Sequence, residues 1–197
     1  QDWHQRFSQQ ALWTESIREH LYQKFSAELN LSTNKWSDRY ILDIGCGTGA
    51  ISRSLMQISG IANPPPAEIL NPINIHGLDI LHERLQHAVS NDPDTDYSCG
   101  DALFLPYKED IFDISLCHYL LLWLLDPAAG LNEMLRVTHA GGIVAALAEP
   151  DYGGRIDFPP QLEELGKLQR EALERQGADT RMGRKLRNLF TNAGLKN

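Results

Sequence analysis

The sequence lacks the features that mark a secreted, membrane-spanning or nucleic-acid-binding protein. Only three of the 197 residues are cysteine, and no pair has Cys-x-x-Cys spacing, which argues against a disulfide framework and a zinc site. No apolar run approaches the ~20 residues of a membrane span, and no secretory signal begins the chain. The net charge of −8 argues against a nucleic-acid partner. We therefore expect a cytoplasmic protein that binds no membrane, nucleic acid or metal.

What the sequence does contain is a regular alternation of predicted strands and helices. Short apolar runs predict strands at 40–44, 73–80, 97–99, 112–117 and 143–147. Helical spacing predicts a helix after the first strand, then a loop at 61–72, and helices between the later strands. Such alternation predicts a Rossmann-like, doubly wound, mostly parallel sheet with helices on both faces, which binds ligands at the carboxyl ends of its strands.

Two further helices are predicted after the fifth strand. The first begins at Pro159 and Pro160 and ends at Gly177, and its leucines at helical spacing are expected to face inward: Leu162, Leu165, Leu168 and Leu173. Asp179 or Thr180 is expected to cap the second helix. This helix carries a basic cluster that fits either a solvated face or a contact for an anionic substrate or partner: Arg181, Arg184, Lys185 and Arg187.

A glycine-rich loop joins the first strand to the next helix. Its sequence is Asp43-Ile44-Gly45-Cys46-Gly47-Thr48-Gly49-Ala50, which contains the G-x-G-x-x-A spacing of a dinucleotide site but also a G-x-G-x-G pattern. Asp79 at the end of the second strand can accept hydrogen bonds from a ribose in either case. Asp101, at the end of the third strand, can accept from an adenine amino group, and the nicotinamide fingerprint has no acid at that point.

These motifs together resemble the class I S-adenosylmethionine-dependent methyltransferases. The motifs that carry the resemblance follow the family's order between residues 38 and 150: Ile41 to Gly49, Asp79, Gly100-Asp101-Ala102, Leu105-Pro106, Phe112-Asp113-Ile114 and Leu135 to Gly142. The resemblance implies S-adenosyl-L-methionine as the cofactor and methyl transfer as the activity. It also implies a seven-stranded sheet, of which this chain supplies five strands and lacks the last two.

The resemblance also implies how the chain is organised. We expect a single domain, with an N-terminal helical lid at 1–37, a cofactor-binding core at 38–150 and truncated C-terminal helices at 151–197. Gln10 to Thr14 and Arg18 resemble the lid segment of some small-molecule methyltransferases, although a buried Trp13 and a surface Arg18 are the competing structural interpretation. A sheet edge left open by missing strands favours a homodimer.

Each cofactor-binding residue takes its role from the resemblance. Asp43 would orient the methionine amino group, Asp79 would hold the ribose hydroxyls, and Cys117 would border the methionine end. Helix capping by Asp79 and a turn role for Asp101 are the structural alternatives. The residues that the resemblance places at the cofactor are Trp13, Arg18, Asp43, Gly45, Cys46, Gly47, Gly49, Asp79, Ile80, Asp101, Ala102 and Cys117.

The methyl acceptor is harder to infer, because in-line transfer from a sulfonium depends mainly on alignment. His118 and Tyr152 are the candidate catalytic residues, and Glu149 to Arg155 form a loop expected to face the methyl group. Asn63-Pro64-Pro65-Pro66 lies before the second strand and lacks the aromatic residue that would stack a flipped base, which favours a small-molecule acceptor. A protein or nucleic-acid acceptor, a cofactor-binding module without catalysis and a nicotinamide-dependent oxidoreductase remain alternatives.

Overall fold

The computed structural model describes residues 3–29, 38–52 and 74–195, and it contains a five-stranded parallel sheet. The strands are β1 Tyr40–Ile44, β2 Asn74–Asp79, β3 Asp96–Cys99, β4 Phe112–His118 and β5 Thr138–Leu147. Their order in the sheet is β3-β2-β1-β4-β5, and every neighbouring pair is parallel. The predicted doubly wound fold is confirmed. The order reverses between β1 and β4, and a ligand crevice is expected there, at the carboxyl ends of those two strands.

Helices cover both faces of the sheet. They are α1 Trp3–Trp13, α2 Glu15–Glu28, α3 His82–Asn91, α4 Pro127–Val137, α5 Gln161–Arg175 and α6 Met182–Asn192, with a 3-10 turn at Leu121–Trp123. The helix predicted after the glycine loop is described only at residues 50–52, and the predicted loop at 61–72 lies outside the described residues. Within the described ranges no helix is long and apolar enough to cross a bilayer.

The apolar core has two parts, because alternate residues of a strand point to opposite faces of the sheet. On one face Leu42 and Ile44 pack with Leu131 and Met134 of α4 and with Met182 of α6. On the other face the central strands pack against the N-terminal helices through residues that include Ile41, Ile114, Ala11, Leu21 and Phe25. Full burial of one such leucine or isoleucine stabilises the fold by about 1.5–3 kcal/mol.

The predicted inward face of α5 is wrong. Leu162, Leu165 and Leu168 are 43%, 63% and 49% exposed. The helix instead turns Gly166 toward the preceding segment, where an added Cβ would lie 2.0 Å from Oδ2 of Asp157. A glycine at this point lets the helix pack against the Arg155–Asp157 ion pair, and this contact sets the rotation of the helix. Of the four leucines, only Leu173 packs against the core.

Other boundaries also differ from the predictions. β5 begins at Thr138 instead of residue 143, since Gly141, with φ +85°, lets the strand bulge between the pairs Phe112–Thr138 and Ile114–Ile143. The N-cap of α6 is Arg181. Asp179 accepts the Arg181 N–H one residue before the helix begins, and the Thr180 hydroxyl donates to Glu174.

A buried carboxylate joins three strands at the amino edge of the sheet. Oδ2 of Asp113 in β4 accepts the backbone N–H of Tyr40 at 2.9 Å, and Oδ1 lies 3.0 Å from Nε2 of His139 and 2.5 Å from Nη1 of Arg39. Burial alone would raise the pKa of Asp113, but the hydrogen bonds from Tyr40, His139 and Arg39 hold it below its ordinary value. The hydrogen bond to Asp113 raises the pKa of His139.

Candidate cofactor site

The glycine loop follows β1 at the switch point of the sheet, and its three glycines have left-handed backbone. Their φ values are +73° at Gly45, +58° at Gly47 and +77° at Gly49. A Cβ on Gly45 would lie 2.8 Å from the Leu120 side chain, and one on Gly49 would lie 2.5 Å from the Tyr97 hydroxyl. Glycine is therefore required by both conformation and close packing, which suits a loop that presents bare backbone to a ligand.

Asp79 ties the end of β2 to the glycine loop. Its side chain is buried, with Oδ2 accepting the Gly47 N–H and Oδ1 accepting the Leu81 N–H, both at 2.9 Å. Nη1 of Arg84 lies 3.8 Å from Oδ2. The N-cap of α3 is Leu81 and the helix has no side-chain cap, so Asp79 does not cap it as the structural alternative proposed. The two hydrogen bonds are compatible with ligand binding because each carboxylate oxygen can accept more than one hydrogen bond.

Asp43 lies beneath the loop and is almost completely buried. The Ser52 hydroxyl donates to its Oδ2 at 2.6 Å. Burial raises the pKa of Asp43 to about 6, with the Ser52 hydrogen bond opposing the rise and the nearby Asp79 adding to it. A positively charged ligand group beside Asp43 would be stabilised by the ionised carboxylate.

The residues expected at the adenine end lie along the β2 and β3 ends. Ile80 is 61% exposed, so its side chain is open to contact, and Ala102 is buried. Asp101 is half-buried and its Oδ1 accepts the Leu103 N–H at 2.9 Å, which leaves Oδ2 for a ligand. The turn interpretation of Asp101 is thus correct as far as Oδ1 is concerned.

The two cysteines of the predicted site point into the protein. Cys46 is buried within the glycine loop, where a Cβ on Gly77 would lie 2.9 Å from its sulfur. Cys117 is fully buried, and its side chain belongs to the core cluster that contains Leu42 and Met182. The structure therefore brings the backbone of Cys117, and not its thiol, to the carboxyl edge of the sheet.

The N-terminal helices lie over the glycine loop. Nδ1 of His4 is 3.0 Å from the Thr48 hydroxyl, and a Cβ on Gly47 would lie 3.3 Å from the Phe7 ring. Arg18 is only 2% exposed, and Nη1 of its guanidinium donates to the Ala11 carbonyl and the Thr14 hydroxyl. Burial lowers the pKa of Arg18, while Glu15, Asp43 and Glu19 oppose that shift.

Trp13 contrasts with Arg18, because its side chain is 74% exposed at the end of α1. The structural interpretation of the sequence, with Trp13 in the core and Arg18 at the surface, is wrong for both residues. The structure buries the Arg18 side chain against α1 and leaves Trp13 exposed.

The two candidate catalytic residues lie at the carboxyl edge, with His118 the last residue of β4 and Tyr152 in the loop after β5. Nε2 of His118 lies 2.9 Å from the Thr14 hydroxyl, and burial lowers the pKa of His118 to about 4, with Arg18 adding to the shift. His118 is therefore neutral near pH 7 and only a weak base. Tyr152 is half-buried with the Arg155 guanidinium 5.5 Å from its ring centre, and burial raises the pKa of its hydroxyl.

The importance of Glu149 was not apparent from the sequence. Its carboxylate is buried and accepts three consecutive backbone N–H groups, with Oε1 bonded to Leu120 and Leu121 at 2.8 Å and Oε2 to Leu122 at 3.1 Å. Burial raises the pKa of Glu149, and these hydrogen bonds partly offset the rise. The signal in the sequence was an acid two residues after the last predicted strand.

The carboxyl edge is therefore rich in buried negative charge. Asp43 accepts from the Ser52 hydroxyl and Glu149 from three backbone N–H groups, all of them neutral donors. Asp79 accepts two backbone N–H groups and also lies 3.8 Å from Nη1 of Arg84. Such a site fits a cationic ligand and disfavours the diphosphate of a dinucleotide. In the part of the chain that the structure describes, no three His, Cys, Asp or Glu side chains are grouped to hold a metal.

Comparison with known proteins agrees with this chemistry. A family model described as a methyltransferase domain matches residues 42–146, which is just over half of the chain. The chain therefore belongs to the methyltransferase family, as its resemblance to class I S-adenosylmethionine-dependent methyltransferases predicted.

Individual relatives and structures give the same result. An uncharacterized methyltransferase of Schizosaccharomyces pombe is 31% identical over 158 residues, which cover 78% of this chain and 55% of that protein. A demethylmenaquinone methyltransferase of Renibacterium salmoninarum is 28% identical over 123 residues, covering 61% of this chain and 51% of that protein. The chain thus spans about half the length of these curated relatives.

One solved structure aligns with nearly the whole chain. It comes from Methanococcus maripaludis and is named as a candidate S-adenosyl-L-methionine-dependent methyltransferase. The TM-score is 0.55, the sequence identity is 16%, and the alignment covers 96% of this chain and 85% of that one. At this identity the likeness establishes the shared fold.

Proposed function

We propose that this chain binds S-adenosyl-L-methionine and transfers its methyl group to a small-molecule acceptor. The observation that carries the proposal is the glycine loop at the switch point, surrounded by the buried carboxylates of Asp43, Asp79 and Glu149. S-adenosyl-L-methionine carries a sulfonium and an ammonium group, so its charge complements this edge. Family membership and the doubly wound sheet support the same assignment.

The proposed binding residues follow the order of the strands. Asp101 and Ala102 after β3 would meet the adenine, with Ile80 against its face. Asp79, the last residue of β2, would accept from the ribose hydroxyls. Strands in a sheet lie about 4.8 Å apart, so a ligand anchored at β3 and β2 extends over the β1 glycine loop toward β4. Asp43 would orient the amino group, and Arg18 would pair with the carboxylate.

For the proposed methyl transfer, the main task of the protein is to align the acceptor with the methyl carbon. When bound, the cofactor supplies an electrophilic methyl carbon and a neutral thioether leaving group. His118 and Tyr152 are the proposed residues on the acceptor side, where they would orient the nucleophile and, if it carries a proton, receive that proton. The low pKa of His118 fits the orienting role better, since a weak base removes a proton less readily.

A small-molecule acceptor is supported by the relative that acts, by its name, on demethylmenaquinone. The acidic net charge also disfavours nucleic acid. Neither observation specifies an oxygen, nitrogen, sulfur or carbon nucleophile, because one fold hosts many acceptors. The cytoplasmic location, the homodimer and the lid at 1–37 remain predictions.

A methyl-transfer assay tests the proposal. The chain would be incubated with methyl-labelled S-adenosyl-L-methionine and a demethylated naphthoquinol, and in parallel with a small-metabolite extract, a protein extract and nucleic acid. We expect label in a small molecule, with inhibition by S-adenosylhomocysteine. Label in protein or nucleic acid would overturn the small-molecule assignment. Cofactor binding without label in any fraction would favour a binding module without catalysis.

A further inference from the structure

Glu149 lies two residues after β5 and bonds the loop that follows β4. Its two carboxylate oxygens accept the N–H groups of Leu120, Leu121 and Leu122, where the 3-10 turn begins. These N–H groups have no partner in a regular helix, because they lie in its first turn. A carboxylate is the strongest acceptor available for them in a buried place.

The backbone next to these contacts is in a disfavoured conformation after both strands. Tyr119 has φ +53° directly after β4, and Ala148 has φ +57° directly after β5. The Tyr119 N–H donates to the Leu147 carbonyl at 3.2 Å, so the two strand ends are also joined to each other. Such conformations persist only where surrounding contacts hold them, and they cluster at functional sites.

The loop at residues 120–122, which Glu149 bonds, contacts the glycine loop through the side chain of Leu120. Leu120 packs on Gly45 so closely that a Cβ there would lie 2.8 Å from Cδ1 of Leu120. The first residue held by Glu149 is thus the one that touches the glycine loop on its β4 side. A shift of the loop would move Leu120 against Gly45 and alter the crevice between β1 and β4.

We infer that Glu149 is a positioning residue for the amino-acid end of the cofactor. It acts through the backbone of residues 120–122, which sets the β4 side of the crevice, while the adenosine end depends on β2 and β3. This inference rests on the proposed function. It adds a specific consequence, namely that loss of Glu149 weakens binding of the amino-acid part of the ligand and spares the adenosine part.

Two ligands separate the two ends in a calorimetric titration of the 197-residue chain. S-adenosylhomocysteine contains both parts, whereas 5′-methylthioadenosine lacks the amino-acid part. Glu149→Ala removes all three acceptor contacts and should weaken S-adenosylhomocysteine binding by more than about tenfold. Glu149→Gln keeps one oxygen acceptor and should weaken it by about threefold to tenfold. Both variants should bind 5′-methylthioadenosine within about twofold of the original chain.

Asp113→Asn is the matched control, because it changes a buried, hydrogen-bonded carboxylate at the opposite edge of the sheet. It should leave the affinity for both ligands unchanged, and thermal unfolding confirms that each variant is folded. If Glu149→Ala does not fold, the affinities of Glu149→Gln for the two ligands test the inference. Equal weakening of both ligands would show a merely structural role and overturn the inference, as would unchanged affinity for both. If the original chain binds neither ligand, the proposed function fails first and the inference fails with it.

Discussion

Both edges of the sheet bury carboxylates, but the partners of these carboxylates and the directions of their pKa shifts differ. At the amino edge, Asp113 is paired with Arg39 and His139, and its pKa is lowered. At the carboxyl edge, burial raises the pKa values of Asp43 and Glu149, and their hydrogen bonds come from neutral groups.

By our proposal, this contrast separates a structural carboxylate from one that binds the cofactor. Asp113 satisfies its charge within the protein, so it stabilises the fold. A buried acid held only by neutral donors costs stability, and natural proteins keep such groups mainly where a ligand uses them. The carboxyl edge is therefore the place where a cation is expected to bind.

The largest effect is expected at Asp79. Asp79→Ala removes the acceptor for Gly47, for Leu81 and, by our proposal, for the ribose, and each hydrogen bond to a charged group contributes about 1.5–3 kcal/mol. S-adenosylhomocysteine should bind at least about tenfold more weakly by calorimetry. A folded variant with unchanged affinity would remove Asp79 from the ribose site.

The same substitution at the two edges should have opposite effects on stability. The pKa of Asp43 is raised above its unfolded value, so the folded state loses stability as pH rises from about 4 to about 6. Asp43→Asn should therefore increase the free energy of unfolding at pH 7 by about 1–3 kcal/mol. Asp113→Asn should decrease it by about 1–2 kcal/mol, since it weakens the pairs with Arg39 and His139.

Urea unfolding at pH 7 measures both changes, and calorimetry should show weaker cofactor binding for Asp43→Asn only. If both substitutions destabilise the chain equally, the contrast between the edges is not electrostatic.

The glycines of the two edges offer a smaller contrast. Gly45 and Gly141 both have positive φ, so alanine strains each backbone by about 1 kcal/mol. At Gly45 the new Cβ would also meet Leu120, whereas at Gly141 nothing lies within 4 Å. Gly45→Ala should therefore destabilise the fold more than Gly141→Ala and should also weaken S-adenosylhomocysteine binding, which Gly141→Ala should leave intact. Equal effects on binding would show that the close packing of Leu120 is irrelevant to the site.

The smallest expected effect concerns pH and His139. Because pairing with Asp113 raises the pKa of His139, its contribution is present below the unfolded value of about 6.5 and is lost as pH rises through the folded value. His139→Gln should therefore destabilise the chain by less than about 1 kcal/mol near pH 6, since the pair is partly exposed. Near pH 9 the two proteins should unfold at the same urea concentration. A difference that grows with pH would contradict this sign.

The sequence predicted those features that depend on neighbouring residues alone, namely the strands and the glycine loop. β1 matches its predicted bounds, β3 and β4 differ by one residue at one end, and β2 differs by one residue at each end. The three loop glycines adopt left-handed backbone in a tight turn after β1. These features follow from apolar runs and from the conformations that only glycine adopts readily.

The failures involve contacts between distant segments. The rotation of α5 is set by Gly166 against Asp157, and the bulge in β5 by its pairing with β4. Arg18 is buried because α1 and α2 fold over the glycine loop, and Glu149 acts on residues about 28 positions earlier in the chain. Periodicity does not encode such pairings, so the arrangement of charges at the carboxyl edge became visible only in the structure.

Calorimetric titration of the unmodified chain shows whether the carboxyl edge binds S-adenosyl-L-methionine. S-adenosyl-L-methionine, S-adenosylhomocysteine and NAD would be titrated in parallel under the same conditions. Our expectation is binding of the first two and none of NAD, because the buried carboxylates repel a diphosphate. Binding of NAD alone, or of none of the three, would contradict it.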